Sequence, residues 1–545
     1  MNLSAINKNI LIIVFSSLLF IPFLGAVHLF DWDEINFAEC AREMIVSGNY
    51  STVQINFQPF WEKPPLFIWM QAISMNVFGV NEFAARFPNA ICGISTLLVL
   101  FNIGKKLFDE KFALIWVLAF AGSMLPHFYF KSGIIDPWFN LFIFLGIHRF
   151  ILFSNDTEKN KNLILSAIFI SLAMLTKGPV AFLIFALAVG TFYILKRFKD
   201  FPSVKNILLY ISIIILVGGL WFASLIISGK SNVIVEFILY QIRLFTTEDA
   251  THGGPFYYHF IILLIGCFPA SVFAIAGMRK KQETPFRELY KKWMMILFWV
   301  VLILFSMVQT KIVHYSSLCW FPLTFLAAYC VYKLMNYEMR WKKWMSAFLI
   351  IIALLLGTVF TSLQFIDKYK NEIINSEIIK DTFATENLKA DVHWSGYEFL
   401  IGVFFLIGIF VTLYFIVMKK KMNFVPVLFI ITLVTTNLAA LIFAPKIEQY
   451  TQGAAIEFYQ RSINKLPVAT IGFKSYANYF YSETEEEVNE ETTVGLHFVS
   501  KINFSGNKNL EKNIYKIYEK NGFMFWSSHN ECSMHGRLDL DSIGK

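Results

Sequence analysis

Long apolar runs separated by short charged loops dominate the chain. Runs close to the twenty residues that a helix needs to cross a bilayer lie near 10–29, 83–104, 112–130, 134–153, 162–176, 178–195, 206–228, 256–278, 293–308, 313–334, 344–366, 396–418 and 423–444. They predict about thirteen transmembrane helices. With the N-terminus in the cytoplasm, the loops KKLFDEK, RFILFSNDTEKNK, KRFKDFPSVK, MRKKQETPFRELYKK, KLMNYEMRWKK and MKKK all face inward, and every one is rich in Lys or Arg. The opposite face then holds 30–82, a turn near 131–136, 229–255, a turn near 309–314 and the tail from 445. In EINFAECAREMIVS, Ile35, Ala38, Ala41, Met44 and Ile45 recur at helical spacing, which predicts an amphipathic helix along the membrane surface, ended by Gly48-Asn49. LFIWMQAISMNVF predicts a second such helix, with Pro64 and Pro65 in its first turn. From Ala444 the pattern turns polar and alternating, as in PVATIGF, and then acidic in ETEEEVNEE.

The fold class that follows is an all-α polytopic membrane protein over residues 1–444, with juxtamembrane helices in the external loop 30–82, and a small α/β domain over 445–545 outside the cytoplasm. The first run ends in VHLFDWDE without a small-x-small cleavage site, so it reads as a retained span. Composition agrees: 56% of the 545 residues are hydrophobic, 59 are Phe and only 16% are charged, more apolar surface than a soluble core could bury. The net charge of +8 is accounted for by the inward loops, and no basic stripe interleaved with aromatics occurs in a soluble segment, which excludes nucleic acid as a partner. The six cysteines show no metal-type spacing; Cys40 and Cys532 fall on the same external side, which leaves a disulfide open.

Ionisable groups at membrane level cost about 2.5–3.5 kcal/mol each at a helix centre, so their placement carries information. Here they gather at span ends on one face: DWDE at 31–34, Glu62-Lys63, Lys131 and Asp136, Lys177, Arg243 with Glu248, Asp249 and His252, then Lys311, His314 and Tyr315. A single outward cavity lined by both signs explains them. Such a cavity suits a reaction on a lipid phosphate: cations neutralise the departing phosphate while a carboxylate takes a proton from an attacking hydroxyl. Asp33, beside the first surface helix, is the expected base. Trp32, Phe60, Trp61, Tyr257 and Tyr258 would stack on a sugar ring or prenyl chain, or form an interfacial belt. Plainer readings stand beside these. Asp136 before Pro137 has the form of a helix start, Lys177 that of a snorkelling lysine, and Glu62-Lys63 that of a surface ion pair. DWD imitates the metal-binding DxD of nucleotide-sugar enzymes but follows a membrane span, not a strand.

Taken together, DEINFAECAREMIVSGNY, FWEKPPLFIW, FGVNEFAARFPNA, IIDPWFN, LAMLTKGPVAFL, GGPFYYHF and KIVHYSSLCWFP resemble, in order and spacing, the polyprenyl-phosphate-sugar-dependent glycosyltransferases. The resemblance is to the bacterial branch that includes the lipid A aminoarabinose transferases, related to the protein O-mannosyltransferases, and it covers roughly residues 10–335. It implies a GT-C architecture in the bacterial inner membrane, with the cavity and C-terminal domain on the periplasmic side. It also implies Asp33, with Glu34 and Asp136, as catalytic acids, and Lys63, Arg243, Lys311 and Tyr315 around the donor phosphate. Glu62 and His252 would hold a divalent metal such as zinc. Asn36 stands where relatives of the aminoarabinose enzymes often carry arginine, which loosens the inference to donor identity.

The function expected is therefore inverting transfer of a sugar from a polyprenyl (undecaprenyl) phosphate to a lipid A, glycan or protein acceptor. Two alternatives stay open at this level. A lipid-linked-sugar flippase would need charges near the bilayer midplane and an internal repeat, neither of which the chain displays. A non-catalytic protein whose external tail binds a partner is the other.

Overall fold

The computed structural model describes residues 7–155, 157–246, 253–279, 283–462, 466–489, 495–503 and 514–528. Each of the thirteen predicted spans falls on a helix or a broken helix. Among the described residues seven helices are long and apolar enough to cross a bilayer, and nine if two bent pairs each count as one span. The pair Tyr258–Gly266 and Ala270–Gly277 is bent by 110°, so the run at 256–278 is not a straight span as its hydropathy suggests. Pro269 at the break has no N–H to continue the helical ladder. Val180–Leu195 and Lys8–Phe20 are apolar but short.

The first external segment forms Asp33–Ser47, ended by Gly48 at φ +67°, and Leu66–Phe78, which begins just after the double proline. The first of these, expected as an amphipathic helix along the membrane surface, is buried on its charged face as well. Every residue from Glu34 to Met44 is buried, the charged Glu39, Arg42 and Glu43 included. One side packs on Leu66–Phe78 and the other on the helix Ala477–Tyr481 of the C-terminal domain. Ile35, Ala38, Ala41 and Met44 thus share one apolar core with Ala455, Tyr459, Val468 and Phe480. Arg42 pairs bidentately with Glu39 at 2.7 and 2.8 Å.

Glu43 accepts the backbone N–H groups of Asn56 and Phe57 at 2.5 and 2.8 Å. Those residues, at φ +54° and +57°, form the two-residue turn joining Gln54–Ile55 to Gln58–Pro59. A phenylalanine in this backbone region costs roughly 1–2 kcal/mol, which the two hydrogen bonds to the carboxyl group offset. The turn lies immediately before Glu62-Lys63, so it sets where that pair enters the site.

The C-terminal sheet has spatial order Val468–Ile471, His497–Lys501, Phe523–Ser527, Tyr515–Lys520, with the first pair parallel and the others antiparallel. The division at 444/445 falls inside a run of helix from 422 to 461. The segment 367–395, absent from the sequence-based tally of external pieces, joins this side: Phe383 packs edge-on against Phe523 at 5.0 Å. Asn56 and Val488 exchange two hydrogen bonds, 2.9 and 2.7 Å, and Tyr481 Oη accepts from Leu29 N–H at 2.7 Å. The first external segment and the C-terminal domain are thereby built as one body. Cys40 is buried, and Cys532 lies outside the described residues.

Candidate active site

One cavity of about 700 Å³ draws its walls from the first external segment, the 129–135 turn, the ends of several spans and the C-terminal domain. Its floor is an ion pair between two helices packed along their length. Asp136 is the first residue of Asp136–Ser154, followed by Pro137, and Lys177 is the last residue of Lys159–Lys177. Each charge thus sits at the helix end whose dipole favours it. Lys177 Nζ lies 2.7 Å from Asp136 Oδ1, and above the rings of Tyr315 and Phe139 at 5.1 and 5.6 Å.

His314, at the start of the 3₁₀ segment Val313–Cys319, stands between two carboxylates: its Nε2 is 3.5 Å from Asp33 Oδ2 and 3.9 Å from Asp136 Oδ2. These distances are long for hydrogen bonds, as is common before a substrate draws such a site together. Asp136 is 3% exposed at the side chain and Asp33 30%, so Asp33 is the acid that a substrate can reach.

A second pole is built on Tyr240. Its hydroxyl donates to Glu62 Oε2 at 3.1 Å, while Lys63 Nζ and the Arg243 guanidinium lie 5.3 and 5.1 Å from its ring centre. Tyr240 and Arg243 are three apart on the helix Ser231–Thr246 and therefore share a face. Two cations and a phenol around one ring make a ready receptor for a phosphate. A third contribution comes from the C-terminal domain, where Lys474 lies 5.7 Å from the Trp32 ring centre.

The structure brings Asp33, Glu62, Lys63, Arg243 and Tyr315 to the cavity wall, with Asp136 beneath, bound to Lys177. Two of the expected residues are engaged in structural contacts. Glu34 borders the cavity, but both of its oxygens are engaged. Arg86 binds them bidentately at 2.8 Å each, and the N–H groups of Phe30 and Gly133 donate at 2.8 and 2.5 Å. Burial would raise the Glu34 carboxyl, yet Arg86 and these N–H groups hold it below the usual glutamate range. Arg86 also donates to the carbonyls of Leu24, Val27 and His28, at 2.7, 2.6 and 2.9 Å. Glu34 is thus held between Arg86 and two backbone N–H groups beside Asp33.

Lys311 also departs from its expected role at the donor phosphate. Its ammonium donates to the carbonyls of Phe305, Ser306 and Val308 and caps the end of the helix Pro285–Met307. Lys131 turns away to the carbonyl of Pro22 at 3.1 Å, and burial pulls its ammonium down to about 8.

His252, the expected metal partner of Glu62, lies outside the described residues, as do Glu248 and Asp249. Among the described residues no three of His, Cys, Asp and Glu are grouped to hold a metal ion. Glu62 itself has an oxygen on Tyr240 and a lysine as chain neighbour, short of the three or four protein ligands that zinc takes.

Three participants carry no sequence signal of their place in the site. Tyr240 is detectable only through its spacing to Arg243. Arg86 hides in FAARFPNA as an ordinary helix residue. Lys474 has no local signal, because its place depends on the docking of a separate domain.

Comparison with known proteins places this geometry in context. Residues 62–225 match the family described as dolichyl-phosphate-mannose-protein mannosyltransferase. Over 335 residues the chain is 27% identical to the undecaprenyl phosphate-alpha-4-amino-4-deoxy-L-arabinose arabinosyl transferase of Shewanella sediminis, covering 60% of each protein. Its identity to the like-named protein of Wigglesworthia glossinidia brevipalpis is 26%, covering 60% of this chain and 59% of that one. The match thus spans about 60% of the length of these curated relatives. The crystal structure of ArnT from Cupriavidus metallidurans bound to undecaprenyl phosphate superposes with a TM-score of 0.76 at 15% identity, over 97% of this chain and 99% of that one. The same protein in the apo state gives 0.74 at 16% identity, with the same coverage; both likenesses establish the fold. The chain is a multi-pass membrane protein with an ArnT-like fold, similar over part of its length to the aminoarabinose arabinosyl transferases and to the dolichyl-phosphate-mannose-protein mannosyltransferase family.

Proposed function

We propose that the protein is a glycosyltransferase that moves a sugar from a polyprenyl monophosphate to a lipid A, glycan or protein acceptor at the periplasmic face of the inner membrane. The observation that carries this reading is the two-pole cavity. An accessible acid, Asp33, stands at one pole, and the Tyr240 ring flanked by Lys63 and Arg243 stands at the other. The curated relatives are named for an undecaprenyl-phosphate-linked donor, which supports the donor class.

In this mechanism the acceptor hydroxyl gives its proton to Asp33 as its oxygen attacks the anomeric carbon. The bond from that carbon to the phosphate oxygen breaks, and its electron pair leaves with the phosphate. Lys63 and Arg243 neutralise the leaving phosphate, and Tyr240 aligns them. His314 lies between Asp33 and Asp136, and the Asp136–Lys177 pair holds the imidazole's surroundings fixed. Attack from the face opposite the phosphate inverts the anomeric centre.

Beside the cavity, an apolar groove of about 1100 Å³ runs between Val180–Leu195 and Pro285–Met307. Leu187, Ile296, Ile303 and Met307 are among its walls, a chemistry that suits a prenyl chain.

The test uses purified protein with undecaprenyl phosphate carrying 4-amino-4-deoxy-L-arabinose, and follows release of undecaprenyl phosphate. Loss of a general base predicts a rate lower by roughly 10²–10⁴ in Asp33→Asn. Lys63→Ala and Arg243→Ala weaken undecaprenyl phosphate binding about tenfold each, the scale of one charge-assisted hydrogen bond. Near-normal turnover in Asp33→Asn together with unchanged binding in both cation variants would overturn the assignment.

A further inference from the structure

We infer that the apolar groove, at its end remote from the active site, binds an anionic phospholipid, with the lipid phosphate on Lys292 and an acyl chain between Val180–Leu195 and Pro285–Met307. This goes beyond the transferase reading and stands on a different part of the molecule.

The groove follows Pro285–Met307 from Glu288 to Met307. That is about 28 Å of helix, close to the hydrocarbon thickness of a bilayer. Its Met307 end adjoins the catalytic cavity, whose wall includes Phe305 and Val308. A prenyl chain whose phosphate is held at the donor pole enters there. Lys292 stands about 22 Å of helix before Met307, and so at the opposite membrane face. Between them Leu187, Trp299 and Ile303 line the groove and are exposed, which makes it an open trough along the lipid-facing surface.

Three lysines gather at this end, and two are committed. Lys291 donates to the Arg279 carbonyl at 2.7 Å and lies 4.1 Å from the Tyr329 ring centre. Lys196 pairs with Asp200 at 2.7 Å. Lys292 has neither a hydrogen bond nor an ion pair among the described residues. Its ammonium lies 5.5 Å from the centre of the Phe192 ring, which stacks on Trp293 at 4.3 Å. Glu288, the acid on this wall, stands one turn before Lys292 at a spacing that favours pairing. It accepts the Glu283 N–H at 3.2 Å instead. A lysine that ends a span often does no more than snorkel to the headgroups. Lys292 differs: it is half-buried over a packed ring pair, at the mouth of a trough that can take an acyl chain. With Lys291 and Lys292 against Glu288, the wall is net positive, so it complements a phosphate whose headgroup carries no ammonium. Basic pockets between membrane helices seat anionic lipid headgroups by this chemistry.

The experiment titrates the full-length protein in detergent with phosphatidylglycerol, phosphatidylethanolamine and undecaprenyl phosphate, and counts retained lipid by native mass spectrometry. The wild type should retain phosphatidylglycerol in preference to phosphatidylethanolamine. Lys292→Ala should weaken phosphatidylglycerol binding about tenfold, the scale of one hydrogen bond to a charged group. Lys292→Glu should lose more, and Lys292→Arg should keep most of it. Lys196→Ala removes the same charge from a lysine already paired, and should change phosphatidylglycerol binding less than twofold. Undecaprenyl phosphate binding should likewise change less than twofold in Lys292→Ala. The inference is overturned if the wild type shows no preference for phosphatidylglycerol, if Lys292→Ala binds it normally, if Lys196→Ala loses as much, or if undecaprenyl phosphate binding falls in parallel. The transferase reading fails separately, through absence of undecaprenyl phosphate release by the wild type, and the phospholipid result stands or falls without it.

Discussion

Asp33 and Glu34 are adjacent acids with opposite duties, and exchanging each for its amide should separate them. Glu34 is 6% exposed at the side chain and Arg86 5%, and four hydrogen bonds reach the carboxylate. Glu34→Gln removes the charge and leaves the Arg86 guanidinium buried against three carbonyls and an amide. Breaking a buried pair from one side costs roughly 3–5 kcal/mol, which places its melting transition several degrees below the wild type. Asp33→Asn touches a side chain 30% exposed whose ionisable neighbour is His314 at 3.5 Å, so it should cost no more than about 1 kcal/mol. Thermal unfolding of the purified proteins in one detergent, with turnover measured on the same samples, gives both readouts. Glu34→Gln should lose stability and retain turnover in its folded fraction, while Asp33→Asn should do the reverse. Because Glu34 titrates below an ordinary glutamate, its contribution is complete at neutral pH and is lost as pH falls below that range; in Glu34→Gln this acid limb should flatten. Equal melting of Glu34→Gln and wild type, or a comparable loss in Asp33→Asn, would refute the division of roles.

Two further outcomes follow from buried groups. Burial, and then the neighbouring Glu39 carboxylate, push Glu43 up to about 8, so the folded protein holds a proton that the unfolded chain releases at lower pH. Stability should therefore fall as pH rises from the ordinary glutamate range toward 8. Glu43→Gln should flatten this decline, gaining at most about 5 kcal/mol relative to the wild type at alkaline pH by linkage; melting across pH 5–9 checks the sign. Lys311→Met should cost about 1–3 kcal/mol for the carbonyls left unpaired, with undecaprenyl phosphate binding unchanged. Weakened binding would return Lys311 to the donor site.

What the sequence disclosed and what it withheld divide along a physical line. Hydropathy located the long apolar helices, because burying apolar runs in lipid is a one-dimensional requirement. It misjudged the shape of 256–278, since a bend at Pro269 leaves mean hydropathy untouched. The charges at span ends predicted a cavity, and Asp33, Lys63, Arg243 and Tyr315 do meet at one. Their duties were less legible, because a carboxylate that catalyses and one that braces differ only in their partners. Glu34 finds its partner fifty-two residues away in Arg86, and Lys311 finds carbonyls at the end of the preceding helix. The buried charges of 34–47 have the same origin: Glu39, Arg42 and Glu43 look like a solvated face, but Arg42 pairs with Glu39, Glu43 accepts from the Asn56–Phe57 turn, and the C-terminal domain packs on the same helix. That cover is also what delivers Lys474 to Trp32. An amphipathic pattern says which face is apolar but not whether water or protein meets the other, and here protein meets it, so the first external segment takes part of the site's wall from residues more than four hundred positions away.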